Sequence, residues 1–115
     1  MVASERVPLA ERTLDVAWFR RELEQERQFR LEQLISLSYE ADAPCSAALG
    51  EVRAALTAGA RCALAEIDAA LFRLSRGTFG TCELCRRPIP VHRLIAISTT
   101  RLCLPCERSH PTQNA

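Results

Sequence analysis

The sequence has no lysine, few aromatic residues and no long apolar run. Aromatic side chains make up 5% of the 115 residues, whereas apolar residues of all kinds make up 48%. Much of that apolar share is alanine and leucine, which favours closely packed helices over a thick aromatic core. No stretch approaches the ~20 apolar residues of a membrane-spanning helix, and the first residues lack the basic-then-apolar order of a secretory signal. We therefore expect one small cytoplasmic domain with an extension, no membrane partner and reduced thiols.

Charge is nearly balanced overall but unevenly distributed. The net charge of +1 argues against a general polyanion binder. Residues 1–75 hold nine arginines against twelve acidic residues, a balance of −3, whereas residues 76–115 hold six arginines against two, a balance of +4. The C-terminal part is suited to an anionic partner, although a solvated basic surface gives the same pattern.

The cysteine spacing predicts a metal site. Two C-x-x-C pairs, Cys82/Cys85 and Cys103/Cys106, are separated by seventeen residues. Each pair forms a tight turn that directs two sulfurs at one ion, and the intervening loop is long enough to bring the second pair opposite the first. Four thiolates complete a tetrahedron, so we predict one structural zinc ion and no catalytic metal. A thioredoxin-type redox pair would instead lie between a strand and a helix, which this region does not offer.

The remaining metal-binding residue types are interpreted as ordinary side chains. We expect His92 and His110 to be surface imidazoles. Cys45 and Cys62 have no C-x-x-C partner and are predicted to be small, partly buried thiols. Residues 77–110 contain few large apolar side chains, so zinc binding, which contributes ~10–16 kcal/mol in small zinc modules, is expected to stabilise this segment.

Apolar positions recur with helical spacing upstream of the cysteines. Residues 46–76 carry a stripe at steps of three and four, and residues 13–40 carry a sparser one among many Glu/Arg pairs. Pro44 interrupts the pattern, so the two helices are predicted to form an antiparallel hairpin. We expect Leu56 and Ile67 to be buried against the first helix. The stripe of the second helix comprises Leu49, Val52, Leu56, Ala60, Ala63, Ile67, Leu71 and Leu74.

The predicted fold class is all-α with a small zinc finger: a long antiparallel coiled-coil hairpin followed by a four-cysteine zinc-finger module. The predicted segments are an extension over 1–12, the hairpin over 13–76 with its tip near 40–46, the finger over 77–107 and a tail over 108–115. Pro8 or Thr13 is expected to start the first helix. Asp42 is expected either to cap the second helix, with Pro44 in its first turn, or to act at the tip.

A helical hairpin running into LSRGTFGTCELCRRPIPVHRLIAISTTRLCLPC resembles the DksA/TraR family of bacterial zinc-finger proteins. The resemblance covers residues 74–106 closely and the hairpin more loosely. The matching pieces are the Gly-Thr-aromatic-Gly motif before the first cysteine pair, Ile89, Arg93 with Leu94, Ala96 and the four cysteines.

The resemblance implies a transcription regulator that binds RNA polymerase and is not an enzyme. In that family the hairpin enters the secondary channel, acidic residues at its tip approach the active centre, and the finger rests near the channel rim. The stability of promoter complexes changes, often together with the alarmone ppGpp. By this resemblance Asp42, with Glu40 as a stand-in, would act at the tip, and Arg86, Arg87 and Arg93 would contact the polymerase from the finger.

Three positions depart from the family pattern. Tyr39 stands where the first tip acid is expected, and Pro44 replaces an alanine. Arg86 replaces the glycine that usually follows the second cysteine. The nine residues after Cys106 are too short for the family's C-terminal helix, so the resemblance gives little support to a ppGpp site that relies on it.

Two other functions stay open from the sequence. One is a nucleic-acid-binding zinc module using the finger's arginines, including Arg101. The finger lacks a basic recognition helix and base-stacking aromatics, so direct sequence-specific DNA binding is not expected. The other is an interaction protein that dimerises through its hairpin, with zinc closing one end.

Overall fold

The computed structural model of the chain describes residues 14–40 and 46–110. Within these ranges the chain forms four helices and no strand: α1 (Val16–Glu40), α2 (Ala47–Arg76), α3 (Val91–Ala96) and α4 (Leu104–Ser109). An isolated antiparallel bridge joins Thr81 to Pro88. The predicted fold class is confirmed. None of the helices in the described ranges combines the length and the apolar character that crossing a bilayer requires.

Both long helices begin at a capping side chain. The Asp15 carboxylate accepts a hydrogen bond from the Trp18 backbone N–H at 3.0 Å, and the Ser46 hydroxyl accepts one from the Leu49 N–H at 3.2 Å. Such caps satisfy N–H groups that the first helical turn leaves free. The prediction that Asp42 caps α2 is wrong, because α2 begins at Ala47 and Ser46 is its cap.

The expected helix starts and tip fall partly outside the described residues. These are Pro8, Thr13 and the whole segment 41–45, which carries Asp42, Pro44 and Cys45. The sequence-based segment boundaries therefore stay a prediction, and the helix bounds given above are those of the structure.

The helices of the hairpin run antiparallel and meet along a coiled-coil seam. Arg27 of α1 contacts Asp68 of α2 at 2.7 Å, and Ile67 is buried as predicted. The prediction for Leu56 is wrong: it is 49% exposed. The buried and half-buried positions of α2 alternate at steps of three and four, which is the 3.5-residue repeat of a coiled coil. The positions in this series are Gly50, Arg53, Thr57, Ala60, Leu64, Ile67, Leu71 and Leu74, and the flanking Ala63, Ala70 and Arg73 are also buried or half-buried.

The sequence stripe and the actual seam separate in the first half of α2. Leu49, Val52 and Leu56 each precede a seam residue by one position, which turns them about 100° away around the helix. Their exposed fractions are 52%, 54% and 49%. From Ala60 onward the stripe and the seam coincide, so α2 is well buried only toward its C-terminal end.

One hydrophobic core joins the base of the hairpin to the segment that follows it. Phe19 lies between Trp18 and Phe79, with ring centroids 4.9 Å and 5.0 Å away. The buried residues of this core come from α1, α2 and the cysteine-rich segment alike. They are Phe19, Leu23, Ile67, Ala70, Leu74, Phe79, Cys82, Ile89, Leu94, Leu102 and Cys103.

Candidate metal centre

Four cysteine side chains converge at the base of the hairpin. The sulfurs of Cys82, Cys85, Cys103 and Cys106 all lie within 4.8 Å of one another. Cys82 and Cys103 are buried, whereas Cys85 and Cys106 are half-buried. The four residues predicted as ligands are therefore brought together. Neither His92 nor His110, both exposed, belongs to this group.

The spacing of the sulfurs fits a tetrahedral zinc ion. Zinc–sulfur bonds of about 2.3 Å place the sulfurs of a tetrahedron about 3.8 Å apart. The Cys85 and Cys103 sulfurs are separated by 3.7 Å, which is far longer than the ~2.05 Å of a disulfide. The donor set thus fits one zinc ion with no open coordination position. The predicted cofactor, a single structural zinc, is supported by this site.

The Gly-Thr-Phe-Gly motif leads the chain from α2 into the metal centre. Gly77 ends α2 in the left-handed conformation with φ 78°, and the Thr78 N–H donates to the Arg73 carbonyl at 3.0 Å. Such a C-cap favours glycine because it has no Cβ to clash. Phe79 then enters the shared core. Gly80, with φ 85°, is closely approached: a Cβ there would lie 2.7 Å from Leu14 Cδ1.

The first cysteine pair lies in a tight backbone turn. The Cys82 N–H donates to the Arg87 carbonyl at 2.9 Å, and the Arg86 N–H donates to the Cys82 carbonyl at 3.0 Å. Arg86 has φ 66° and is the one non-glycine residue with positive φ in the described part of the chain. The turn therefore requires the left-handed conformation at the position where the resembling family usually has glycine.

The second cysteine pair opens α4. Cys103 is the N-cap residue, and its carbonyl accepts a hydrogen bond from the Glu107 N–H at 2.9 Å. Cys106 lies in the first turn of the helix. Pro105 also lies in the first turn, where its missing N–H costs no helical hydrogen bond. The helix thus fixes the direction of both sulfurs relative to the first pair.

The thiols differ strongly in acidity before metal binding. Burial raises the pKa of the Cys82 thiol, but hydrogen bonds from the backbone at Cys85 and Cys103 outweigh burial and lower that pKa to about 6. The pKa of the Cys106 thiol is raised to about 12, mainly by the hydrogen bond between the Cys106 and Cys103 sulfurs and secondly by burial. Since zinc binds thiolates, the metal must displace the proton of Cys106, whereas Cys82 is largely ionised at neutral pH.

Arg93 holds the two halves of the finger together. Its Nε donates to the Leu102 carbonyl at 3.2 Å, and its Nη2 contacts the Glu107 carboxylate and the Thr100 hydroxyl. The Arg93 side chain is only 15% exposed. Its guanidinium therefore orients the second cysteine pair from within the finger. The sequence offered no signal for this pairing, because the partner acid lies fourteen residues away in α4.

A second, largely buried arginine links α2 to the finger. Arg73 contacts Glu83 at 3.9 Å and donates to the Thr99 carbonyl at 3.4 Å. Burial lowers the pKa of Arg73, which Glu83 opposes and the nearby Arg101 reinforces. The adjoining surface carries Arg86 and forms an open cleft of about 520 Å³ lined by Ala69, Phe72, Arg73, Thr78, Thr81, Glu83 and Arg86.

The other residues singled out from the sequence lie apart from the metal centre. Glu40 is exposed at the last position of α1, and Asp42 lies outside the described residues. Arg86 and Arg87 are exposed on the finger. Cys62 is exposed on α2, so the prediction that it is partly buried is wrong.

Comparisons with known proteins agree with this architecture. Residues 77–111 match the family model of the prokaryotic dksA/traR C4-type zinc finger. A protein of Aquifex aeolicus, described as uncharacterized, is 51% identical over 43 residues, which are 37% of this chain and 30% of that protein. The matched part thus spans less than a third of that relative's length.

The structural comparison covers nearly the whole chain. The transcription factor DksA2 from Pseudomonas aeruginosa superimposes with a TM-score of 0.75 at 22% sequence identity, over 98% of this chain and 96% of that one. The family resemblance predicted from the sequence is confirmed by these two matches. Residues 77–111 thus match the dksA/traR C4-type zinc finger, and they follow a helical hairpin with the fold of DksA2.

Proposed function

We propose that the protein is a transcription regulator that binds RNA polymerase in its secondary channel and modulates initiation. The observation that carries this proposal is the combination of the dksA/traR finger with a DksA2-like fold over nearly the whole chain. The finger alone would leave the hairpin unexplained, and a helical hairpin alone is common to many functions. In this proposal the protein acts in the cytoplasm, and its zinc is structural.

The dimensions of the hairpin support insertion into a channel. The 30 residues of α2 span about 45 Å at 1.5 Å per residue. The metal centre and the shared core lie at one end of this length, and Glu40 lies near the other. One end is therefore broad and zinc-stabilised, whereas the other is only two helices wide. This shape suits a partner that admits the narrow end and stops the broad one.

Different residues have different roles in the proposed complex. Asp42, with Glu40 beside it, would bring negative charge to the polymerase active centre. Arg86 and Arg87 are exposed on the finger and would contact an acidic rim. Arg93 is engaged inside the finger, so we assign it a positioning role rather than a polymerase contact.

Co-purification with the RNA polymerase of its own cell tests the proposal. We expect the full-length, zinc-loaded chain to retain the polymerase, and an Arg86→Ala/Arg87→Ala variant to retain less of it, with a weaker dependence on salt. Cys62→Ser is the matched control, because Cys62 is exposed and distant in sequence from the metal centre. If the wild-type chain retains no polymerase but binds bare DNA with a steep salt dependence, the nucleic-acid-binding alternative replaces this proposal.

A further inference from the structure

Burial along the hairpin is concentrated at the zinc end. On α2, every buried residue lies at Ala60 or beyond. On α1, Phe19 and Leu23 are buried near the base, and Leu37 is the sole buried residue between positions 24 and 40. Residues 28–40 and 47–58, here called the distal hairpin, therefore contribute little apolar burial to the fold.

The seam of the distal hairpin is polar on the α2 side, whereas α1 contributes the half-buried Leu34 and the buried Leu37. α2 presents Gly50, Arg53 and Thr57 to α1. On α1, Arg30 donates to Gln33 at 3.1 Å and contacts Glu26 at 3.3 Å. Both of these contacts stay within α1, and the buried Nε of Arg30 has no partner in the described residues. Arg30 lines a cavity with Ala63 and Ile67, so this buried donor without an acceptor weakens the packing at the boundary between the distal and the proximal hairpin.

An open groove separates the two helices in this region. Its volume is about 630 Å³, and it is lined by residues of both helices: Leu34, Leu37, Ser38, Gly50, Arg53, Ala54, Thr57, Ala58 and Arg61. Side chains that could fill it, such as Leu49, Val52 and Leu56, point about 100° away from the seam because each lies one position too early. The groove therefore loses the dispersion contacts that a packed coiled coil has.

Gly59 lies where the well-packed and poorly packed parts of α2 meet. It follows the exposed Leu56 and directly precedes the buried Ala60. A Cβ at this position would find open space within 4 Å, so close packing does not require the glycine. Glycine in a helix interior weakens the helix because it loses more backbone freedom than other residues.

The proximal part of the hairpin has the opposite properties. Arg27 and Asp68 join the helices at 2.7 Å, and Phe19 and Phe79 join the hairpin to the finger at 5.0 Å. The metal centre lies in the same core. Separation of the distal helices breaks none of these contacts.

We propose that the distal hairpin opens as a unit, with Gly59 as its hinge, while the proximal hairpin and the finger stay folded. Opening exposes the groove residues and allows α2 to rotate, so that Leu49, Val52 and Leu56 can contact a partner. A partner that binds only one of the two states shifts the population toward that state. This inference rests on the packing of the hairpin and does not depend on the proposed polymerase complex.

Hydrogen exchange on the full-length, zinc-loaded protein tests the proposal. We expect amides in residues 28–40 and 47–58 to exchange at least ~100-fold faster than those in residues 18–25 and 62–76, because local opening and global unfolding differ in free energy. Equal protection along both helices would show that the hairpin opens only as one cooperative unit and would overturn the proposal.

Two substitutions test whether Thr57 in the seam and Gly59 at the hinge control exchange in the distal hairpin, as opposed to fraying of the helix ends. Thr57→Leu places an apolar side chain in the groove and should slow exchange in the distal hairpin at least fivefold. Gly59→Ala strengthens the helix at the hinge and should slow it about two- to fivefold. Leu56→Gln is the matched control, since Leu56 is adjacent but exposed, and it should change distal exchange less than twofold. If Leu56→Gln slows exchange as much as Thr57→Leu, or if neither Thr57→Leu nor Gly59→Ala slows it, the proposal is wrong.

Discussion

The rings of Phe19 and Phe79 lie 5.0 Å apart and join α1 to the finger across sixty residues of sequence. Phe19 is 1% exposed and Phe79 is 6% exposed, and both belong to the core that contains Cys82 and Cys103. The metal centre and the base of the hairpin therefore share one set of buried contacts. The loss of zinc should consequently affect the helices as well as the finger.

Replacement of a zinc ligand is the first prediction. Cys103→Ser should abolish zinc binding, unfold the finger and loosen the first turns of α1. Trp18 reports on this loosening, because it is the single tryptophan of the chain and contacts Phe19 edge-on at 4.9 Å. Its fluorescence should shift to longer wavelength, whereas far-ultraviolet circular dichroism should keep much of its helical signal.

Cys62→Ser is the control for this experiment, because it removes an exposed thiol outside the metal centre. It should bind one equivalent of zinc and show the wild-type tryptophan spectrum. A Cys103→Ser protein with one full equivalent of zinc would contradict the four-cysteine site. An unchanged Trp18 spectrum in a zinc-free protein would contradict the shared core.

The second prediction concerns the pH dependence of zinc affinity. Without metal, Cys106 holds its proton at neutral pH, since its pKa is raised to about 12. Cys82, whose pKa is lowered to about 6, becomes protonated only as the pH falls through 6. Zinc binding therefore releases at least one proton at pH 7 and at least two below pH 6, so affinity must decrease on acidification.

Competition with a chromophoric chelator measures this dependence. The apparent zinc affinity should fall at least tenfold per pH unit between pH 8 and pH 7, and more steeply below pH 6. An affinity that does not change between pH 8 and pH 5 would show that the ligands are not thiols that titrate with the metal.

The third prediction compares two glycines that the sequence alone does not distinguish. Gly80→Ala should destabilise the protein by more than ~1 kcal/mol, because the residue has φ 85° and its Cβ would meet Leu14 Cδ1 at 2.7 Å. Gly59→Ala should stabilise it by ~0.5–1 kcal/mol, because this helical position has open space around it. Chemical denaturation of the zinc-loaded proteins measures both changes. Equal effects of the two substitutions would show that Gly59 and Gly80 do not differ in their surroundings.

The metal centre could be predicted from the sequence because its information is local. The spacing of Cys82, Cys85, Cys103 and Cys106 defines two tight turns and a connecting loop. Zinc prefers four thiolates in a tetrahedron, which this arrangement supplies. The hairpin was also predictable, since Pro44 divides two segments of helical periodicity. The prediction of a helical hairpin depends on the periodicity of the apolar residues and not on any single side-chain contact.

The details of the seam could not be predicted, because they depend on how two helices turn toward each other. Leu56 continues the apolar stripe of α2, yet Thr57 faces α1. A stripe with a period near 3.6 residues and a seam with a period of 3.5 coincide at one end and diverge at the other. The cap of α2 could not be predicted either, because Asp42 and Ser46 have similar capping propensity and the structure has Ser46 as the cap.

The fourth prediction distinguishes the effect of backbone strain at Arg86 from the effect of the exposed charge that Arg86 and Arg87 both carry. Arg86 has φ 66°, a conformation that costs a non-glycine residue about 1 kcal/mol or more. Arg86→Gly should therefore stabilise the finger by up to ~1 kcal/mol while removing an exposed charge. Arg87→Gly removes the same charge from a neighbour without positive φ and should destabilise slightly.

Thermal unfolding and polymerase retention should be measured on both of these variants. In the proposed complex, both lose affinity for RNA polymerase, and only Arg86→Gly gains stability. If Arg86→Gly lowers the melting temperature as much as Arg87→Gly, the left-handed conformation at Arg86 does not strain the finger.

The last prediction concerns the tip and depends on the proposed function. Because Ser46 caps α2, Asp42→Asn removes a charge without removing a helix cap, so stability should change by less than ~0.5 kcal/mol. Retention of RNA polymerase should be close to wild type, whereas the effect on promoter-complex lifetime should fall at least fivefold. Glu40→Gln is the matched control at the exposed end of α1; a smaller effect there would assign the activity to Asp42. Unchanged promoter-complex lifetimes with Asp42→Asn, in a protein that still binds polymerase, would show that the chain regulates without an acidic tip. That outcome would leave the channel-binding proposal intact and would direct attention to Tyr39, which stands where the resemblance to the DksA/TraR family places the first tip acid.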